Sequence, residues 1–247
     1  MDKEFAGQVA VVTGAARGLG LAVATQLAER GARVFMADLD GPAAEAAAAA
    51  LRGRKLDATG CRTDVADESS LAALKAQIVA AGGRLDVLIN NAGGWRYGSL
   101  ADISLADWDW TFRTNVLSTF LASRTLMDLM VARKYGRIVN VASTDAYRPK
   151  PTIPHYAAAK AAVVSLTRTF AEELGPQGVI VSGVSPGMIA TETAKAQGWI
   201  EERIKTVPVR RAAAPEDIGE AILFLASPRN RYVVGETVLV NGGSLMA

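Results

Sequence analysis

The amino-acid sequence predicts an α/β chain: a doubly wound parallel sheet of about seven strands with helices on both faces. Three observations lead there. Short apolar runs rich in β-branched residues alternate with segments of helical length from one end to the other, the pattern of buried strands joined by crossover helices. The first apolar run ends in a glycine-rich turn that opens directly into a helix-like segment. No repeat period and no long Pro, Gly or Ser linker interrupts residues 1–247, which read as a single domain.

Gln8–Thr13 is the first strand, dominated by valine, whose branched side chain suits a pleated surface. Gly18–Arg30 is the helix it feeds, and Arg33–Asp38 is the second strand. The alanine tract within Gly41–Leu51 is a strong helix former rather than a disordered insert. Ala58–Arg62 and Asp86–Asn90 read as strands on either side of a helix over Glu68–Ala81. A long helix is predicted over Leu105–Lys134. Gly136–Ala142, Val179–Val184 and Thr237–Asn241 complete the strands, with His155–Leu174 and Pro215–Ala226 as the intervening helices. Ser185 to Ala214 breaks the rhythm, being longer than an ordinary connection. Ile189, Trp199, Ile200, Ile204 and Val207 are spaced there for a short amphipathic helix, so about 188–212 reads as a substrate lid.

Charge and cysteine content narrow the function. Twenty-seven Lys and Arg against twenty-five Asp and Glu leave a formal charge of +2, too balanced for a nucleic-acid surface. The single cysteine, Cys61, cannot form an internal disulfide, which agrees with a reducing compartment. The N-terminus has no secretory apolar segment, and no stretch reaches the roughly 18 apolar residues of a membrane span. A soluble, cytoplasmic protein is expected. No histidine–cysteine cluster or acidic loop suggests a metal.

The glycine turn, Thr13-Gly14-Ala15-Ala16-Arg17-Gly18-Leu19-Gly20, has the spacing Gly-x-x-x-Gly-x-Gly. Glycines there allow a tight turn and let backbone amides approach a pyrophosphate at a helix N-terminus, whose partial positive charge favours the anion. Asp38 closes the second strand, where a carboxylate can accept from both hydroxyls of an adenosine ribose and repels a 2′-phosphate. That favours NAD over NADP. Arg17 argues the other way, since a cation beside the loop attracts such a phosphate. Asp38 carries more weight because it meets the discriminating hydroxyl itself.

Tyr156 and Lys160 lie at i and i+4 in an alanine-rich helix, which puts a phenol beside an ammonium. Bringing a tyrosine from its ordinary pKa of about 10 to near 7 takes roughly 4 kcal/mol of preferential phenolate stabilisation. A neighbouring cation in a partly dry cleft can supply it, so a depressed phenol is expected. Ser143, at the end of an apolar run, can hold a substrate oxygen opposite the phenol. His155, the sole histidine, points about 100° away from Tyr156 on a helix and is assigned no role.

With these motifs in one order, the chain resembles the short-chain dehydrogenase/reductase family along essentially its whole length. The glycine loop, Asn90-Asn91-Ala92-Gly93, Ser143, Tyr156-Ala157-Ala158-Ala159-Lys160, and Pro186-Gly187 followed by Thr191 carry the resemblance. It implies a Rossmann-type nucleotide-binding fold, with Tyr156 as general acid/base, Lys160 as its partner and Ser143 as the group orienting the substrate oxygen. By the same resemblance Asn115 holds a water that relays protons to Lys160. Gly14, Arg17, Gly18, Leu19 and Gly20, then Asp38 and Leu39, are the implied contacts to pyrophosphate and adenosine. Asp64 and Val65 match the pair at the adenine. Asn91, Ala92 and Gly93 match the turn beside the ribose and nicotinamide, and Pro186, Gly187, Ile189 and Thr191 the segment that receives the carboxamide and phosphates.

Substrate candidates follow from the rule that ligands of open α/β sheets bind beyond the carboxyl ends of the strands. They are Trp95, Arg96 and Tyr97, then Thr144, Asp145, Tyr147 and Arg148, then Met188 and Trp199. Their aromatic character suits a ring-bearing or otherwise apolar secondary alcohol or ketone. An NAD-dependent alcohol dehydrogenase or ketone reductase is the leading expectation. A 3-oxoacyl-[acyl-carrier-protein] reductase using NADPH also fits the resemblance, against the evidence of Asp38. A dinucleotide-binding regulator without catalysis fits least, since it needs none of Asn115, Ser143, Tyr156 and Lys160. The family resemblance also implies a homotetramer built on Leu105–Lys134 and His155–Leu174.

Overall fold

A computed structural model describes residues 3–192 and 200–246 of the protein. Seven strands, β1 (Val9–Thr13), β2 (Arg33–Asp38), β3 (Ala58–Arg62), β4 (Val87–Asn90), β5 (Gly136–Val141), β6 (Val179–Pro186) and β7 (Thr237–Val240), form one sheet. Every pairing is parallel and the order is β3-β2-β1-β4-β5-β6-β7, so the winding reverses between β1 and β4. Parallel neighbours require crossovers, which α1 (Gly18–Glu29), α2 (Gly41–Gly53), α3 (Glu68–Ala80), α4 (Leu105–Phe112), α5 (Ser118–Val131), α6 (Pro154–Leu174) and α8 (Pro215–Ala226) provide, while α7 (Ile200–Ile204) lies in the connection after β6.

The strands feed two cores through their two-residue period. Ala10 and Val12 of β1, Val34 and Met36 of β2, and Val87 and Ile89 of β4 face the layer holding Leu19, Val23 and Leu27 of α1 with Ile218 and Ile222 of α8. The intervening Val11, Phe35 and Leu88 face Leu71 and Leu74 of α3, Leu121 and Leu126 of α5, and Leu174 of α6. Both faces are therefore dry, which is why the strands are continuous apolar runs rather than alternating ones. Among the described residues no helix is long and apolar enough to cross a membrane.

Most elements start or end within a residue or two of expectation, and two differences bear on the site. β6 continues beyond Val184 because Ser185 and Pro186 still pair with Leu239 and Val240 of β7. More consequential, the single helix expected over Leu105–Lys134 is broken: a π-helical turn, Arg113–Leu117, separates α4 from α5, which ends at Val131. Hydroxyls of the following turn fill in at the break, Ser118 Oγ donating to the Thr114 carbonyl at 2.6 Å and Thr119 Oγ1 to that of Asn115 at 2.9 Å. Apolar periodicity does not register one extra residue in a turn, so the sequence pattern reads straight through it.

A buried amide network locks the sheet beneath the site. Asn90 Nδ2 donates to Asn140 Oδ1 (2.8 Å) and Ser123 Oγ (2.9 Å), and Asn140 Nδ2 donates to Thr167 Oγ1 (3.0 Å). It ties β4, β5, α5 and α6 together at the level from which the catalytic candidates project.

Candidate active site

A cleft of about 1860 Å³ runs along the carboxyl ends of the strands, across the β1/β4 reversal. Its first half is built by backbone. The helix α1 has Arg17 at its N-cap with no side-chain cap, whereas α2, α3 and α4 are capped by Asp40, Asp67 and Ser104. Its first-turn amides are therefore left for an anion. Gly20 permits this close turn: a Cβ there would lie 2.0 Å from the Gly14 carbonyl oxygen. Asn91 braces the loop by donating from Nδ2 to the carbonyls of Thr13 (2.9 Å) and Gly14 (3.1 Å). Thr13, which sequence reading passed over, accepts at Oγ1 from the amides of both Asn91 and Ala92 at 3.0 Å.

Asp38 is also tied to this loop. Its carboxylate accepts from the Ala16 amide and from the Asp40 amide, each at 3.0 Å. A carboxylate offers about four lone-pair sites, so two such bonds leave capacity for ribose hydroxyls. Arg17 pairs with Asp40 at 3.3 Å, which partly neutralises the cation that could favour a 2′-phosphate. Gly14, Arg17, Gly18, Leu19, Gly20, Asp38, Leu39, Asp64, Val65, Asn91, Ala92, Gly93, Pro186, Gly187, Ile189 and Thr191 all line the one cleft.

The second half gathers side chains. Ser143, after β5, and Tyr156 and Lys160, on α6, line the same cavity. Lys160 is buried and donates from Nζ to the Val141 carbonyl at 2.8 Å, with its ammonium 5.7 Å from the Tyr156 ring centre. Burial pushes its pKa down to about 8. The depressed phenol expected beside it is not what these residues produce. Burial pushes Tyr156 above the ordinary tyrosine range; the nearby Ser143 hydroxyl opposes this and Asp145 reinforces it. Desolvation of the anion outweighs a cation held 5.7 Å from the ring.

Asn115 is fully buried behind the cleft rather than on its wall. Its Nδ2 donates to the Gly94 carbonyl (2.7 Å) and to that of Thr111 (2.8 Å), and its Oδ1 accepts from the Gly94 amide (3.3 Å). A Cβ on Gly93 would meet this Oδ1 at 2.6 Å and Lys160 Nζ at 3.2 Å. The π turn thus holds Asn115 beside the strand-end turn, where Asn115 Oδ1 and Lys160 Nζ both border the space that Gly93 leaves open.

Of the substrate candidates, Trp95, Tyr97, Thr144, Asp145, Arg148 and Met188 line the cleft. Trp95 packs on Tyr156 with ring centres 5.4 Å apart and planes tilted by 55°. Tyr147 does not join them: the 3₁₀ turn Thr144–Ala146, capped by Ser143 Oγ accepting from the Asp145 amide at 3.1 Å, precedes it, and it lies outside the lining while 38% exposed. Arg96 also lies outside, paired with Asp107 at 2.6 Å and stacked over Trp110. Trp199 falls outside the described residues. Trp110, Lys150, Ile153 and Arg203 line the cleft without having been singled out. Only Lys150 and Ile153 carried a signal, their nearness to Tyr156 in sequence. His155 is fully buried, and neither ring nitrogen has a hydrogen-bond partner.

Cys61 is buried and its thiol is pushed up to about 11, mainly by burial, which makes it unreactive. Among the described residues no three His, Cys, Asp or Glu side chains cluster to hold a metal.

Comparison with known proteins supplies the family. Residues 14–244 match the family model described as enoyl-(acyl carrier protein) reductase. The chain is 38% identical to the 3-oxoacyl-[acyl-carrier-protein] reductase of Vibrio cholerae, over 97% of this chain and 98% of that one. It is 37% identical to the D-threitol dehydrogenase of Mycolicibacterium smegmatis, over 98% and 94%. A crystal structure of a short-chain type dehydrogenase/reductase from Mycobacterium marinum superposes with a TM-score of 0.94 at 30% identity, covering 99% of this chain and 98% of its own. With the parallel sheet, the glycine turn at its reversal and matches along its whole length, this chain belongs to the short-chain dehydrogenase/reductase family and is an NAD(P)-dependent oxidoreductase.

Proposed function

We propose that the protein is an NAD(H)-dependent ketone reductase or secondary-alcohol dehydrogenase in which Tyr156 exchanges the proton. The observation that carries this reading is the convergence of Ser143, Tyr156 and Lys160 on one cleft whose other half is the uncapped glycine turn of α1. The residues suit a dinucleotide: backbone amides for the pyrophosphate, a turn so close that a Cβ on Gly20 would strike the Gly14 carbonyl, and Asp38 at the end of β2. When bound, the nicotinamide supplies or accepts the hydride. The chain's own residues handle the oxygen. Ser143 orients it, and the Tyr156 hydroxyl gives it a proton during reduction or takes one during oxidation. A phenol held above its ordinary range stays protonated at neutral pH, which suits the reductive direction. Lys160, pushed down only to about 8, keeps its charge there and stabilises the phenolate left behind. Asn115, through Gly93 and Gly94, positions the turn that faces Lys160 and provides the proton-relay side of the site.

The preference for NAD(H) rests on two acids at the end of β2, Asp38 and Asp40, with Arg17 engaged by the second. A 2′-phosphate beside these carboxylates costs several kcal/mol unless it is compensated. NADH should therefore bind at least about tenfold more tightly than NADPH in a fluorescence titration. A preference for NADPH would sink this assignment and promote the acyl-carrier-protein reductase reading, which the Vibrio cholerae relative supports. We assign residues 1–247 to one catalytic domain, with about 188–212 as a substrate lid, of which 193–199 lie outside the described residues, and a homotetramer in the cytoplasm. Phe120 on α5, packed on Phe170 of α6 within the chain and still exposed, supplies apolar surface on the two helices for contact between copies.

A further inference from the structure

The rim segment between Ser143 and Tyr156 carries an ammonium that nothing already described employs. The Lys150 side chain is only 15% exposed, and among the described residues its Nζ donates no hydrogen bond. An ammonium has three donors, and this one is not among the buried atoms without a partner, so it opens to the cleft with donors available to a ligand. Its nearest acid, Asp145 Oδ1, is 3.9 Å away, beyond hydrogen-bond reach. That same oxygen already accepts from Arg148 Nε at 3.3 Å. Two cations against one carboxylate leave one net positive charge at the mouth of the cleft. Lys150, Arg148 and Asp145 all line the cavity that holds Tyr156, as do Arg203 and Glu192 of the lid segment. Burial holds Lys150 below its ordinary range, Asp145 opposes this, and Arg203 and Arg148 add to it. The wall of the same cavity includes Ile153, Met188 and Trp95, the last packed on Tyr156, apolar residues suited to a carbon chain or ring.

We propose that the substrate is an oxo acid or hydroxy acid whose carboxylate is bound by Lys150, with Arg148 and Asp145 setting the direction of the ammonium. This rests on the reductase reading for the reacting end and adds the charge at the other. A monoanion completes the charge balance, and charge-assisted hydrogen bonds occupy the idle donors. A neutral ketone of the same shape displaces water from the ammonium and offers no charge in return, which is how the site discriminates.

The test uses a pair of unreactive probes of equal shape, 3-phenylpropanoate and 3-phenylpropanamide, titrated calorimetrically into the full-length protein with saturating NADH. The carboxylate should bind at least about tenfold more tightly than the amide, and Lys150→Met should bring the ratio near one while Lys150→Arg restores it. An unchanged NADH affinity in both variants controls for folding. Equal affinity for the two probes in the wild type, no binding of either, or a ratio that survives Lys150→Met overturns the proposal. In parallel, oxo acids and their methyl esters are offered with NADH and followed at the reduced-nicotinamide absorbance band. Reduction of esters as readily as acids overturns the carboxylate site and leaves the reductase reading standing. Failure to reduce any ketone, with the probe ratio intact, strikes the reductase reading alone.

Discussion

The two halves of the cleft are made of different materials. The half on the β1 and β2 side is backbone: amides of the α1 turn, carbonyls braced by Asn91, and an Asp38 carboxylate bonded to the Ala16 and Asp40 amides. The half beyond β4 and β5 is side chains: Trp95, Tyr97, Arg148, Lys150 and Met188, on loops and the connection after β6. Backbone geometry at a strand end is set by local residues and one rigid sheet, so it accepts one kind of ligand. Side chains on loops can be exchanged without disturbing that sheet, so they are where a family acquires different substrates. Tyr156, Ser143 and Lys160 stand at the seam.

The seam should show the largest effect. Tyr156→Phe deletes the exchanged proton and nothing else of size, so kcat should fall by about 10²–10⁴-fold with NADH affinity nearly unchanged. Activity within tenfold of the wild type would remove Tyr156 from its role. Next comes the backbone half. Gly20→Ala forces a Cβ to within 2.0 Å of the Gly14 carbonyl oxygen. Overpacking of this sort costs about 1–3 kcal/mol, which should weaken NADH binding by roughly ten- to a hundredfold in titration. Retention of full affinity would mean that the turn is not where the cofactor is held. The smallest effect belongs to the side-chain half. Tyr97 is 60% exposed, and Tyr97→Ala should shift KM for the ketone by only a few fold, with kcat and NADH affinity preserved. A loss of cofactor binding in that variant would erase the distinction between the halves.

Much of the first half is legible in the sequence, because its signals are local. Glycines at fixed offsets after a valine-rich strand specify a turn, and Asp38 at the end of the next strand stands beside it once the strands are parallel. The order of strands and helices was equally readable, since buried parallel strands and amphipathic helices differ in period. Asn115 marks where such reading stops. The resemblance singles it out, but the π turn around it and its bonds to Gly94 depend on β4 and α4 meeting. Tyr147 and Arg96 illustrate the same boundary: each was near the right residues in sequence, and a 3₁₀ turn or an ion pair sent it elsewhere.

The sequence by itself determined the alternation of strand and helix, the glycine turn, and the chemical types available for proton transfer. Each follows from residue identity at short range. Only the tertiary structure decided that Tyr156 is pushed up rather than down, that Arg17 is engaged by Asp40, and that Lys150 lies mostly buried on the cleft wall with Asp145 3.9 Å away. Desolvation and charge–charge energies are sums over everything packed around a group. Those neighbours come from β5, α6 and the loops between them, which are brought together by the fold and not by spacing along the chain.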